Sequence, residues 1–159
     1  MKIDIVDATE KHFKDLSEHM REVDVQEVFA SSGAKPDEVC HASANIDAEA
    51  KAALANDKLV CLFGVVPVSE VPSIGVPWLL GTDLLNDIPH SLCRVTVKHL
   101  SEYMNRYDVL VNYVDARNKT TVKWLQWLGF SVELPESFGY LGLPFHRFEM
   151  RKQYNVGCY

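Results

Sequence analysis

Cysteine is scarce in this chain, no apolar run is long, and basic residues do not outnumber acidic ones. Each shortage excludes something. The four cysteines, Cys40, Cys61, Cys93 and Cys158, show no C-x-x-C spacing, so they read as buried or idle thiols in a reducing compartment rather than a metal or disulfide set. No run approaches the ~20 apolar residues of a membrane span. The opening MKIDIVDATEKHF carries no secretory pattern, which leads us to expect a soluble, cytoplasmic protein with no membrane partner. Sixteen Lys and Arg against 22 Asp and Glu give a net charge of −6. That balance argues against a nucleic-acid surface and for a protein or small-molecule partner. No G-x-S-x-G, Walker loop or Cys/His protease signature occurs. His12 and His19 stand seven apart without a third ligand at a recognisable spacing, so no metal is expected.

What is present describes a globular α/β chain. With 159 residues, 47% of them apolar and 24% charged, the sequence suits a single domain over 1–159 that buries roughly two thirds of the surface of its unfolded form. Residues 2–6 alternate polar and apolar as a half-buried strand does. Asp7 and Thr9 offer caps for a helix carrying Phe13, Leu16 and Met20. A second helix, 22–30, places Val25, Val28 and Phe29 on one side before Gly33 ends it, and Pro36 opens a third through Val39 and Ala42. Residues 48–55 read as a strand running into the turn Asn56-Asp57. Residues 59–68 and 75–80 are nearly unbroken apolar runs, expected as strands covered on two faces, with 67–73 as the loop between them.

After Asp87 and Pro89 a long helix presents Leu92, Cys93, Thr96, Val97, Leu100, Tyr103 and Met104 as a buried stripe, with Arg94, Lys98, Ser101 and Glu102 outward. Residues 107–114 form a strand, 119–128 a helix, and 130–134 and 145–150 two closing strands around the loop PESFGYLGLP. The order β-α-α-β-β-β-α-β-α-β-β implies a mixed central sheet.

The stretch NYVDARNKTTVKWLQWLGF, residues 112–130, then suggests a relationship. A strand, an Asn opening the next helix and Gly-Phe eleven residues beyond it resemble the second half of the GNAT acyltransferase fold, often written N-x-x-A-x-x-x-Y-x-x-x-G-F. The matching positions are Asn118, Thr121, Leu125, Gly129 and Phe130. PWLLGTD, NYVDARN, WLQWLGF and GLPFHRFEMR together are similar to small phage-encoded GNAT-like proteins related to the internal virion protein A of podoviruses.

The resemblance implies a single GNAT-like domain in which 76–82 and 107–114 are parallel strands that splay apart. Unpaired backbone groups of such a pair can receive the amides of acetyl-coenzyme A, through Leu79, Leu80, Gly81 and Thr82, with Arg117 and Asn118 opposite. It also implies a host bacterial cytoplasm or the virion as the setting, and a host bacterial protein or a virion component as partner. Two departures stand out. The glycine-rich diphosphate loop of the family is replaced by GTDLLNDIPHSLCR, where Asp83 and Asp87 repel phosphate. Leu125 stands where a tyrosine often protonates the leaving thiolate.

Each candidate carries a second reading. Asn118 binds pantetheine or caps its helix; Arg117 and Lys119 attract a phosphate or are solvated turn charges. Trp124 and Trp127, three apart, send one ring to the core and one towards the surface, where it can anchor a partner. Trp78 lines a cleft or fills the core. Tyr113 and His146 are the candidate catalytic acid and base, although Arg147 and Glu149 also suit a cross-strand ion pair. The function implied is an N-acetyltransferase acting on an amine, with a catalytically inactive binding module as the rival.

Overall fold

The alternation at the N-terminus forms an edge strand, β1 (Ile3–Asp7), paired antiparallel to β2 (Lys51–Ala55). Between them run three helices of the computed structural model, which describes residues 2–87 and 89–153; this corrects the expected order, which allows two, because the segments capped at Thr9, Arg21 and Lys35 each form a separate helix. Helix α1 (Glu10–His19) starts at Thr9, whose hydroxyl accepts the His12 N–H while His12 Nδ1 accepts the Thr9 N–H. This reciprocal cap satisfies two donors that a helix start leaves orphaned. Helix α2 (Glu22–Ser32) ends at Gly33, which takes the left-handed φ of 73° that other residues resist. Helix α3 (Pro36–Ile46) carries its proline in the first turn, where the missing N–H costs nothing.

A hairpin then joins β2 to β3 (Lys58–Val68) through Asn56 and Asp57, both at positive φ, as a tight primed turn requires. β3 pairs antiparallel with β4 (Val71–Gly81). The expected 67–73 loop is thereby corrected: both strands run into it, and only Ser69 and Glu70 turn. A 3-10 turn, Asp83–Asp87, leads to α4 (Pro89–Arg106), which returns the chain to β5 (Val109–Asp115). Helix α5 (Lys119–Leu128) follows, then β6 (Ser131–Val132), β7 (Glu136–Phe138) and β8 (Leu143–Arg151). Two further corrections fall here. The strand expected over 130–134 shrinks to two residues, and part of PESFGYLGLP is strand, because β7 forms a hairpin with β8.

Among the described residues the sheet has eight strands in the order β1-β2-β3-β4-β5-β8-β6, with β7 also on β8. Its two faces are covered by different helices. Phe13, Leu16, Val28 and Cys40 from α1 to α3 pack on Ala52, Leu62 and Leu80. Leu100, Tyr103 and Leu125 from α4 and α5 pack on Val65, Leu110, Val114 and Phe148. The α4 stripe holds except at Val97, which is 52% exposed, because α4 lies over a sheet that covers a narrower arc than the sequence stripe spans. Phe29 is likewise 42% exposed, yet its ring meets Tyr140 edge to face at 5.7 Å. No helix among the described residues is long and apolar enough to cross a membrane.

Among the described residues a single parallel contact, between β4 and β5, defines the site. β4 and β5 pair only at Ile74↔Val109 and Gly75↔Leu110. Beyond that point β4 stays with β3 as far as Gly81↔Cys61, and β5 stays with β8 as far as Asp115↔Phe145. Each strand keeps its outer neighbour while the facing edges part.

Candidate functional site

Strand alternation tells which backbone groups face the gap. Thr82 donates its N–H to Val60 across the β3 ladder, so even-numbered β4 residues face β3 and odd-numbered ones face β5. Pro77 and Gly81 fit this rule: the Pro77 carbonyl accepts Asn112 Nδ2 at 2.7 Å, and the Gly81 N–H donates to Asp24 Oδ2 at 2.7 Å. Leu79 lies between them with the same orientation, and its N–H and C=O meet no backbone partner on β5. On the opposite edge the Tyr113 N–H donates to Asn112 Oδ1 and the Asp115 N–H to Glu27 Oε1, each at 2.7 Å. A splayed pair of strands exposes groups that cost free energy if buried alone. Here side chains of β5 and α2, with the Arg21 N–H, meet the groups of Pro77, Gly81, Tyr113 and Asp115 just named, whereas those of Leu79 are left open.

Helix α2 supplies two carboxylates one turn apart. Asp24 is 2% exposed and accepts Arg21 Nε at 2.7 Å, Arg21 Nη2 at 3.2 Å and the Gly81 N–H. Arg21 also returns its backbone N–H to the Gly81 carbonyl at 2.9 Å and reaches Asn86 Oδ1. Glu27 forms no ion pair among the described residues, and Arg21, paired with Asp24, acts on it only weakly. Burial raises its carboxyl to about 7, against the lowering effect of the Asp115 N–H and with added repulsion from Asp24 and Asp115. Glu27 Oε2 has no protein donor among the described residues and is not sealed from the cavity.

The gap opens on both faces of the sheet into one cavity of about 850 Å³, whose wall is mainly apolar. On the α2 side stand Trp78, Tyr113, Phe138 and Phe145. Trp78 Nε1 donates to Asp47 Oδ2 at 2.9 Å, and Tyr113 stacks on Phe138 at 3.9 Å between ring centroids. The β7–β8 hairpin is held over the end of α2 by Tyr140 N–H to Ser31 C=O and Leu141 N–H to Ala30 C=O. Gly139, at φ 78°, is needed there: a Cβ would lie 2.7 Å from Ser31 Cα. On the other side the wall is made by α4, including His99, and by α5 through Asn118, Thr121 and Trp124. Burial beside Phe63 lowers the His99 pKa.

The sequence candidates divide. Leu79, Leu80, Tyr113 and Asn118 all line the cavity. Gly81 is at its end with both backbone groups occupied, and Thr82 donates its hydroxyl to the Leu59 carbonyl at 2.8 Å, a structural role. Asn118 caps α5, its Oδ1 accepting the Thr121 N–H at 3.4 Å, while its Nδ2 meets no protein acceptor among the described residues. Arg117 grips Asp115 through Nε and Nη2 and lies away from the cavity wall. Burial raises the Asp115 carboxyl, but the Arg117 side chain and N–H outweigh it and hold it below the ordinary range.

His146 also lies off the cavity wall, its Nδ1–H donating to the Glu133 carbonyl at 2.7 Å. Arg147 pairs with Glu149, two residues on in the same strand, and with Glu133 just past β6, so the cluster is an ion-pair network whose Arg147–Glu149 member runs along β8 rather than across strands as expected. Of the two α5 tryptophans, Trp124 faces the cavity and Trp127 is 65% exposed. Cys40 and Cys61 are buried thiols pushed up to about 11 and about 12 by desolvation; Cys158 lies outside the described residues.

Sequence reasoning missed Asp24, Glu27 and Asn112. The signal for the first two was present: acids three apart within a helix whose neighbouring positions, Val25 and Val28, are apolar. Acids on an inward face need partners.

The cavity fits one end of acetyl-coenzyme A and not the other. Free N–H and C=O groups on Leu79 suit the amides of a pantetheine arm. The turn after β4 offers a diphosphate no glycine cradle, and Asp83 and Asp87 are exposed on it.

No family model matches the sequence, and no curated protein does. Solved structures match in shape. An acetyltransferase of the GNAT family from Streptococcus pneumoniae is 16% identical with a TM-score of 0.65, covering 96% of this chain and 100% of that one. The ribosomal-protein-S18-alanine N-acetyltransferase from Escherichia coli is 14% identical with a TM-score of 0.66, covering 99% of each. The Salmonella typhimurium protein yncA, solved with its cofactor acetyl-CoA, is 11% identical with a TM-score of 0.65, covering 98% of this chain and 96% of that one. At these identities the likeness speaks for shape alone, and the shape is the GNAT fold, an α/β domain with a mixed sheet and a splayed parallel strand pair.

Proposed function

We propose that the protein is an N-acetyltransferase that moves an acetyl group from acetyl-coenzyme A to an amine. The observation that carries this reading is Leu79: its N–H and C=O stand open in the gap between β4 and β5, at the wall of a cavity that reaches both faces of the sheet. Leu79 and Leu80 on one side and Asn118 on the other would hold the pantetheine end. Acetyl-coenzyme A would supply an activated acetyl group as a thioester. The chain's own part is to orient that group, to offer the Leu79 N–H to a carbonyl oxygen that gains negative charge, and to exclude water. Tyr113, whose ring lines the cavity and stacks on Phe138, is the phenol placed to give up a proton there.

Titration calorimetry with acetyl-coenzyme A tests the reading. Saturable binding, weak because no glycine cradle grips the diphosphate, is expected. An absence of heat at millimolar ligand overturns it.

A second reading rests on a different observation. Arg21 and Asp24 fill the Gly81 end of the gap, and Trp127 stands 65% exposed on α5. Both suit a fold kept as a binding module for a host bacterial protein or a virion component, the partners that the phage resemblance implies. An exposed aromatic anchor can carry ~2 kcal/mol or more of an interface. Under this reading Trp127→Ala abolishes capture of the partner while acetyl-coenzyme A leaves it unchanged.

A further inference from the structure

Of the acidic side chains that line the cavity, Asp24 is used and Glu27 is not. Asp24 spends its two oxygens on the Arg21 guanidinium and the Gly81 N–H. Glu27 spends Oε1 on the Asp115 N–H and leaves Oε2 without a protein donor among the described residues. Phe145 lies directly across the β5–β8 ladder from Asp115, the residue that Glu27 holds. Its ring meets Phe138 at 5.2 Å, and Phe138 in turn stacks on Tyr113. One carboxylate oxygen therefore shares a wall with three aromatic rings. Faces of such rings attract cations, and the attraction grows when water is excluded.

From this we infer that the acceptor is a monoamine on an apolar body, aromatic or branched, whose ammonium is received by Glu27 Oε2 beside Tyr113, Phe138 and Phe145. The inference rests on the acetyltransferase reading and names the substrate class for that same site.

Three features separate this class from other amines. A polyamine carries several charges, and among the described residues Glu27 is the one carboxylate on this wall with an oxygen to spare. A lysine within a peptide brings backbone amides, each needing a partner when buried, and the wall here is mainly apolar. A polar amino sugar meets the same obstacle through its hydroxyls. A single charge on an apolar body meets a matching surface.

Glu27 can also take the proton that an ammonium must lose before its nitrogen has a lone pair. Written out, R–NH3+ and the Glu27 carboxylate become R–NH2 and the Glu27 carboxyl; no other reactant is consumed. A carboxyl raised by burial to about 7 suits that exchange near neutrality.

Binding of 2-phenylethylamine to the protein without acetyl-coenzyme A tests the inference, by calorimetry at pH 8, where the free amine is an ammonium and Glu27 is ionised. Saturable binding is expected, about tenfold or more tighter than that of spermidine or of Nα-acetyl-lysine methylamide. Glu27→Gln should weaken it by about tenfold or more, the scale of a lost charge-assisted contact. 2-Phenylethanol, which has the same body without the charge, should bind wild type and Glu27→Gln alike, showing that the cavity of the variant is intact. Should Glu27→Gln fail to fold, Glu27→Asp, which draws the carboxylate back by one methylene, serves in its place. Tighter binding of spermidine or of the lysine derivative overturns the inference, as does equal affinity of the amine for wild type and variant. If acetyl-coenzyme A binds and 2-phenylethylamine does not, this inference fails alone. If the amine binds and acetyl-coenzyme A does not, the acetyltransferase reading fails and the amine site stands.

Discussion

Asp24 and Glu27 stand three residues apart on α2, and each accepts a backbone N–H at the end of a different strand, Gly81 on β4 and Asp115 on β5, both at 2.7 Å. One helical turn thus bridges the two strands where they have parted. The helix spacing of i and i+3 sets the reach, so the width of the gap is fixed by α2 rather than by strand pairing. This makes the two acids differ in kind: the one with a guanidinium beside it is a structural member, and the one without is chemically available.

Asp24→Ala should therefore destabilise the fold strongly. It leaves Arg21, whose side chain is only 13% exposed, without its carboxylate and Gly81 without an acceptor. Removing one partner of a buried pair costs about 3–5 kcal/mol. Urea unfolding should show a loss on this scale, and a loss below about 1 kcal/mol would mean that the cluster does not hold the gap.

Glu27 predicts a pH effect of definite sign. Its folded-state pKa, about 7, is above its unfolded value near 4.5, so folding favours the protonated form. The favourable contribution is full below about pH 4.5 and is lost as pH rises through 7. Relative to wild type, Glu27→Gln should gain stability between pH 5 and 8 by up to about 3 kcal/mol, since each pKa unit is worth ~1.4 kcal/mol. Paired urea titrations at the two pH values read the difference directly. A constant difference would place the Glu27 pKa near its ordinary range.

How much of this could be read from sequence depends on whether a residue's role is local. Thr9, Gly33, Asn118 and the turn Asn56-Asp57 act within a few residues of themselves, and the structure finds them at the caps and turn that their chemistry suggests. The parallel pair was legible for a similar reason, since a strand, a long helix and a strand admit few arrangements. Glu27 and Asn112 act on Asp115 and Pro77, 88 and 35 residues away, through contacts that exist only once the sheet has formed. No local pattern announces such a contact. Arg117 shows the opposite failure: a cation in the expected place is claimed by Asp115, two residues before it.

Gly64→Ala tests the Trp78 part of the α2-side wall. A Cβ at Gly64 would overlap Asp47 Oδ2 and lie 3.0 Å from Trp78 Nε1, the two ends of one hydrogen bond. The added methyl should break that bond and cost about 1–3 kcal/mol. Tryptophan emission should shift as the Trp78 ring moves, and an unchanged spectrum with unchanged stability would count against the packing described for β3.

Asn118→Ala separates capping from ligand holding. Loss of the cap alone costs ~1 kcal/mol in thermal unfolding. If Nδ2 also holds acetyl-coenzyme A, affinity for that ligand should fall by about fivefold or more beyond any change in stability. A variant that loses stability and keeps its affinity would leave Asn118 as a cap only.

Asn112→Asp makes the sharpest test of the gap, because it alters one donor and almost no volume. In the native protein Nδ2 donates to the Pro77 carbonyl and Oδ1 accepts the Tyr113 N–H, so a single side chain ties β5 to β4 past the last ladder pair. An ionised aspartate keeps the acceptor and puts a second oxygen 2.7 Å from a carbonyl oxygen, where only a donor fits. At pH 8 the variant should lose about 1–3 kcal/mol, the cost of an unmet and now repulsive buried contact. Lowering the pH protonates the new carboxyl and restores a donor. The folded-state pKa of this aspartate must then be raised, so the deficit should narrow as pH falls towards 5. Urea unfolding across that range measures it, and a deficit that widens in acid would show that Asn112 does not bridge the strands.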